Sequence, residues 1–300
     1  MPILSKYIQP EVLNRIAHAR FDPKQLVEGT LAGAHKSPFH GFAVEFAGHR
    51  DYVPGDDIRH LDWKVYYRHR RYLIKQYEMD TNLVCHLMLD VSSSMRYGEG
   101  DAQKLLYASR MATTLAHLVV EESDRVSLTT FDERIVQSLA ASNSLGQIVN
   151  MGEMLDKVEP VKKTRIGPSL MELAARAGRR SIVVIFSDFF VDLDDLNDAI
   201  QRLRYDKHEV VLMQVLHNDE IEFKLPGMIR FVGLEEDNQV LARPDDMRDS
   251  YLEAMRQFNE RLESIATANQ SERLVCDTSQ DMAVLFADYL HTRSLADRRL

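Results

Sequence analysis

From Leu83 to about Arg293 the chain alternates short, continuously apolar runs with longer segments that are apolar along one side only. That alternation predicts an α/β fold on a parallel sheet, because strands covered by helices on both faces keep few solvent-facing positions. The runs Leu83–Asp90, Arg125–Thr130, Ser181–Ser187, Glu209–Leu216 and Arg273–Cys276 are each of strand length. Arg134–Leu139 follows the second of them after Asp132 and Glu133, and reads as an antiparallel edge partner. Between strands, Leu105, Ala108, Ala112, Leu115 and Val119 step by three and four, which sets one apolar stripe against the sheet. Leu252, Met255, Phe258, Leu262 and Ile265 repeat that spacing after Pro244, Asp245 and Asp246, a suitable helix entry. A last helix begins near Ser279 and carries Met282, Leu285, Phe286 and Leu290.

Two stretches break the pattern. Residues 224–241 carry turn signals at Pro226-Gly227 and Asp237-Asn238 around short apolar runs, which predicts a β-hairpin inserted in the α/β frame. Upstream, Pro10–Ala19 reads as a short helix, and Gly29–Met79 is rich in Gly, Pro and aromatics, with alternation around Tyr72–Tyr77. The expected organisation is therefore an N-terminal helix plus small β-rich module over 1–82, a doubly wound, mostly parallel α/β domain over 83–293, and a tail over 294–300.

Composition narrows the function. The chain has 300 residues, 45% of them apolar and 28% charged, as in a globular protein with room for one large domain and an extra module. No apolar stretch approaches the roughly 20 residues of a membrane span, and the N-terminus lacks a basic-then-apolar leader, so a cytoplasmic location is expected. Cys85 and Cys276 lie in apolar strand-like runs without paired spacing, which predicts buried thiols. A net charge of -9 argues against nucleic-acid binding, which rests on neutralising phosphates. The basic cluster Arg68-His69-Arg70-Arg71 reads first as a solvated turn, with Arg68 kept as a candidate partner contact.

Chemistry concentrates at strand ends. Asp90, Ser92 and Ser94 form a D-x-S-x-S string after the first apolar strand, and Thr164 and Asp188 offer oxygen donors in comparable places. Two carboxylates and three hydroxyls suit a hard divalent cation: Mg²⁺ takes oxygen ligands at about 2.1 Å and keeps some of its waters. Mn²⁺ and Ca²⁺ are the alternatives. In a doubly wound sheet, ligands bind beyond the carboxyl ends of strands where the strand order reverses. Asp90 and Asp188 would face one such crevice if their strands are neighbours there. A hydrolase would also need an acid or base near the bound water, and Asp90–Arg96 and Asp188–Asp192 contain neither His nor Lys. No P-loop sequence occurs, and Ser92 stands where an aspartyl phosphatase would place a second Asp.

The string Tyr52-Val53-Pro54-Gly55-Asp56-Asp57 fits a turn. Arg50, Asp51, Arg59, Asp62 and Trp63 around it read as an ion-pair and aromatic core centred on the single tryptophan, with a partner surface as the alternative. In that alternative Arg50, Asp56, Asp57, Arg59 and Arg68 are the contacts.

Asp90-Val91-Ser92-Ser93-Ser94-Met95, Thr164 with Ile166-Gly167, and Asp188 together resemble the metal-ion-dependent adhesion site of von Willebrand factor type A domains. Ser37-Pro38-Phe39-His40-Gly41, Glu45-Phe46, Arg50 to Arg59 and Leu61-Asp62-Trp63-Lys64 resemble the signature of the domain-of-unknown-function 58 family, bacterial proteins that join such a module to a von Willebrand-like domain. Two positions depart from the pattern: Phe189 replaces a Gly frequent after the second Asp, and Tyr67 replaces a small residue. The resemblance implies a Rossmann-like sheet with the strands of Asp90 and Asp188 adjacent. It also implies Mg²⁺ at Asp90, Ser92, Ser94, Thr164 and Asp188, completed by an Asp or Glu of a protein partner. It points to a non-enzymatic adaptor for a MoxR-type AAA+ ATPase or its client. The competing expectation is a metal-dependent phosphoester hydrolase.

Overall fold

The computed structural model describes residues 2–17, 19–21, 23, 32–36, 45–53, 61–78, 80–81, 83–158, 166–178, 180–234 and 239–297. Two short helices, α1 (Pro2–Tyr7) and α2 (Pro10–Ile16), open the chain. They are followed by β1 (Ala32–Lys36), β2 (Glu45–Asp51), α3 (Trp63–His69), β3 (Leu73–Glu78) and β4 (Asp80–Thr81). β2 pairs antiparallel with β3 and β1 with β4, in two separate two-stranded sheets over the stretch expected to be β-rich.

The larger unit runs through β5 (Val84–Asp90), α4 (Lys104–Glu121), β6 (Arg125–Phe131), β7 (Ile135–Ser142), α5 (Gly146–Asp156) and α6 (Ile166–Arg176). It continues with β8 (Ile182–Ser187), α7 (Leu193–Tyr205), β9 (Glu209–Leu216), α8 (Asn218–Glu222), β10 (Ile229–Val232) and β11 (Gln239–Ala242). It closes with α9 (Pro244–Ala268), β12 (Glu272–Asp277) and α10 (Met282–Asp297). The main sheet has the order β12-β9-β8-β5-β6-β7. Every pair in it is parallel except β6 with β7, so the expected α/β fold is the observed one. β10 and β11 form a separate antiparallel hairpin between α8 and α9.

Alternate side chains of the central strands feed two cores, as the two-residue period of a strand requires. Cys85, Leu87 and Leu89 of β5 join Ile182, Val184 and Phe186 of β8 in a core with α4, α5 and α10. Met88, Val183, Ile185, Val210 and Leu212 point to the other face, where Leu170, Leu196, Ile200 and Leu262 cover them. Tyr7, Val12, Ile16 and Phe21 belong to the first of these cores. The opening helices therefore pack on the α/β unit, across the division drawn at residue 82, and α10 runs to Asp297 through part of the expected tail.

Trp63 does not centre the small module. It is the first residue of α3 and is 53% exposed, as are Tyr67 at 78% and Tyr72 at 52%. The cause lies one residue earlier: buried Asp62 caps α3, accepting from the backbone amides of Lys64 at 2.9 Å and Val65 at 3.3 Å, while its other oxygen meets His49 Nε2 at 2.9 Å. With the carboxylate turned inward, the indole stays outside, edge-on to Tyr66 at 6.1 Å. Arg68 is exposed on the same helix, and Arg50 takes its place in β2 opposite Ile74. Asp56, Asp57 and Arg59 lie outside the described residues. Among the described residues, no helix is long and apolar enough to cross a membrane.

Candidate metal centre

The strand order reverses at β5: the chain leaves it for β6 on one side and returns to β8 on the other. Leu89 pairs with Phe186, so Asp90 at the end of β5 and Ser187 at the end of β8 sit side by side. The crevice beyond these carboxyl ends is where an open α/β sheet binds ligands.

Asp90 is fully buried and held at both oxygens. Oδ1 accepts from the Ser92 amide at 2.9 Å, closing a turn directly after the strand, and Oδ2 accepts from the Ser187 hydroxyl at 2.6 Å. Ser187 Oγ in turn accepts from the Phe189 amide at 3.0 Å. The chain then enters a short 3₁₀ turn, Ser94–Arg96, anchored by the fully buried Met95. This turn brings Ser94 Oγ to 3.1 Å from Ser92 Oγ. Burial pushes the Asp90 carboxyl up to about 7; the neighbouring Asp188 charge adds to the effect, and the Ser187 and Ser92 hydrogen bonds oppose it.

Asp188 follows β8 and is almost completely buried. Its Oδ1 accepts from the Phe190 amide at 3.1 Å, and its Oδ2 accepts from Lys104 Nζ at 2.9 Å. Lys104 is fully buried, the first residue of α4, and also donates to Glu220 of α8 at 2.7 Å. Its Nζ lies 5.5 Å from the centre of the Phe190 ring. Burial and the positive end of the helix both oppose a cation there. The Asp188 and Glu220 carboxylates outweigh the burial and raise the Lys104 pKa, whereas burial raises that of Glu220 against the pull of Lys104. The fold thus brings to the crevice a lysine that the local sequence segments do not contain. A lysine held charged by two carboxylates is a poor proton acceptor.

Thr164 lies outside the described residues, just before α6. At the start of that helix, a Cβ on Gly167 would stand 3.3 Å from Cβ and the carbonyl oxygen of Asp195, so glycine permits the close approach of α6 to α7.

Phe189 has φ +61°, a left-handed conformation that glycine adopts freely and other residues adopt at a cost of about 1 kcal/mol or more. Its ring is fully buried among Met88, Leu170 and Leu193, and that burial contributes about 2–3 kcal/mol. The departure at this position is therefore a packing residue placed on a glycine backbone. Phe189→Gly is expected to destabilise the fold by about 1–3 kcal/mol despite relieving the strain, as measured by urea unfolding. Equal or greater stability would show that strain outweighs packing.

Neighbouring ligands on an octahedron of about 2.1 Å radius stand about 3.0 Å apart. The Ser92 and Ser94 hydroxyls, hydrogen-bonded to each other at 3.1 Å, already stand at about that separation. Asp90, a buried carboxylate whose charge is disfavoured by its surroundings, is the group a cation would relieve. Among the described residues, no cluster of three His, Cys, Asp or Glu side chains forms a metal site of the more usual kind. Among the described residues, the donors free to turn towards a hard cation are the Ser92 and Ser94 hydroxyls beside Asp90, an oxygen chemistry that suits such an ion.

Residues 48–261 match the family described as Protein of unknown function DUF58. "Uncharacterized protein Rv1480" of Mycobacterium tuberculosis is 25% identical over 205 residues, covering 66% of this chain and 63% of its own length. This chain therefore spans less than two thirds of the curated relatives it matches. Among solved structures, conserved hypothetical protein BatB from Bacteroides thetaiotaomicron aligns at 15% identity and TM-score 0.45, covering 70% of this chain and 100% of that one. The SpRpn10 VWA domain aligns at 10% identity and TM-score 0.37, covering 68% and 92%.

Proposed function

We propose that this chain, which belongs to the DUF58 family, is a non-enzymatic protein-binding module that uses a divalent cation to engage an acidic side chain of a partner. One observation carries the reading: at the strand-order reversal, two hydroxyls about an octahedral edge apart stand beside a buried carboxylate that pairs with no cation among the described residues. Asp90, Ser92 and Ser94 would hold Mg²⁺, with Asp188 and Thr164 completing the set directly or through water. A bound Mg²⁺ would supply Lewis acidity and a position at which a carboxylate can replace water. The chain's own residues orient it: the Ser92 amide and Ser187 hydroxyl fix the Asp90 carboxylate, and Met95 pins the loop.

The partner class proposed is an AAA+ ATPase of the MoxR type or its client, following the sequence resemblance. Phosphoester hydrolysis has less support, since Lys104, held charged by Asp188 and Glu220, is not a base that could activate water.

Isothermal titration with Mg²⁺ on the wild type and on Asp90→Asn tests the site. Asparagine can still accept from the Ser92 amide and donate to Ser187, so the loop should survive while the charge goes. A loss of at least about 100-fold in affinity is expected on removing the central carboxylate. Equal binding by the two proteins would sink the metal centre.

A further inference from the structure

Asp188 is doubly committed. As a member of the metal set it should serve a cation at the crevice, yet its Oδ2 is already held by the Lys104 ammonium at 2.9 Å. That ammonium is fixed from its other side by Glu220 Oε1 at 2.7 Å. Glu220 is fixed too: its Oε2 accepts from the His217 amide at 2.8 Å, closing the capping box of α8. The loop that carries the serines is tied to the same helix, because Tyr97 donates to Asp219 at 3.0 Å and stands edge-on to His217. The result is a continuous line, Ser94 loop to α8 to Glu220 to Lys104 to Asp188, with a permanent positive charge in the middle.

On the reading of the crevice as a metal centre, we infer that Lys104 is a resident counter-cation, held by Glu220, that sets how strongly the site binds its metal. A divalent ion drawing on Asp188 must share that carboxylate with the ammonium or displace it, and like charges repel across the short distances of a buried site. The ammonium therefore weakens metal binding. It also takes up part of the negative charge of Asp188, so a bound ion keeps more net positive charge for an incoming carboxylate. Glu220 works in the opposite sense: by compensating Lys104 it moderates the repulsion. Lys104 and Glu220 are positioning residues, since neither is among the groups proposed to contact the metal.

The two substitutions should act in opposite directions, which a purely structural ion pair would not produce. Titration with Mn²⁺ alone, on the full chain, is expected to show Lys104→Met binding about tenfold more tightly than wild type and Glu220→Gln several-fold more weakly. Lys104→Arg, which keeps the charge, should stay near wild type. Glutamine at 220 can still accept from the His217 amide, so α8 should keep its cap. Unchanged affinity in Lys104→Met, or shifts of both variants in one direction, would overturn the inference. If Lys104→Met fails to fold by circular dichroism, Glu220→Gln decides alone: weaker Mn²⁺ binding supports the inference, and equal or tighter binding ends it. The underlying metal reading fails separately, and takes this inference with it, if wild type and Asp90→Asn give the same titration.

Discussion

Arg293→Met is expected to lower the stability of the fold by about 3–5 kcal/mol, because it removes the cation that faces buried Glu209 and half-buried Glu272. Arg293 is 3% exposed near the end of α10. It pairs with Glu209, which opens β9, and with Glu272, which opens β12. Its guanidinium also lies 4.5 Å from the centre of the Phe21 ring, so one side chain joins α10, the start of two parallel strands and the N-terminal segment. Burial acts against the Arg293 charge, but Glu209, Tyr289 and Glu272 outweigh it and raise its pKa. At this size a loss of that order corresponds to a fall in Tm of about 6–10 °C. The decisive comparison is the triple variant Arg293→Met, Glu209→Gln, Glu272→Gln, in which the two carboxylates that face Arg293 lose their charge along with it. It should recover at least half of the loss in urea unfolding. If the single and triple variants unfold alike, the cost lies in lost packing against Phe21 rather than in stranded charge. These groups sit at the amino ends of the strands, opposite the crevice at Asp90.

The same contrast between local and distant partners decides what the sequence made legible. The parallel strands were readable because burial on both faces leaves uninterrupted apolar runs: β8, Ile182–Ser187, is buried at every position. Asp90, Ser92 and Ser94 were readable together because one turn carries all three. Lys104 was not, since its partners Asp188 and Glu220 lie 84 and 116 residues away and a lysine before an amphipathic helix looks like a solvated one. Ser187 was missed for the related reason that its hydroxyl matters only through the pairing of β8 with β5, although the Ser-Asp ending of that strand was a usable signal. Trp63 was misplaced by treating side-chain size as a measure of burial, whereas the neighbouring Asp62 cap decides which residue faces inward. The helix expected over Pro10–Ala19 is α2, whereas α1 at 2–7 is too short to show an amphipathic period, and only the core that receives Tyr7, Val12 and Ile16 explains where the two pack.

Acid should expose a second buried device. His208 is fully buried, its Nδ1 2.6 Å from Ser181 Oγ and accepting from the Ser181 amide at 3.3 Å. His86, on β5, meets Ser127 Oγ at 2.7 Å. Burial pushes both imidazoles down to about 4; Arg204 adds to this for His208 while Asp206 opposes it, and His208 and Arg125 add to it for His86. A depressed histidine means that the folded chain binds fewer protons than the unfolded one between about pH 4 and 6.5. The stability these histidines contribute is therefore complete above pH 6.5 and falls as pH drops towards 4, by about 2 kcal/mol per histidine between pH 7 and 4.5, against the opposite trend of the raised Asp90 and Glu220 carboxyls. Replacing His208 with Phe, which keeps a buried ring and removes the titration, should shrink the stability difference between those two pH values by about 2 kcal/mol in urea unfolding. The variant can be less stable at pH 7 without harm to the argument, because only the difference between pH values is read. A difference as large as that of wild type would overturn the assignment to His208; the raised carboxyls of Asp90 and Glu220 could not supply it, because a carboxyl whose pKa rises on folding adds stability as pH falls. Glu220→Gln gives the opposite control: it removes a raised carboxyl and leaves both histidines in place, so its loss of stability on going from pH 7 to 4.5 should be no smaller than that of wild type.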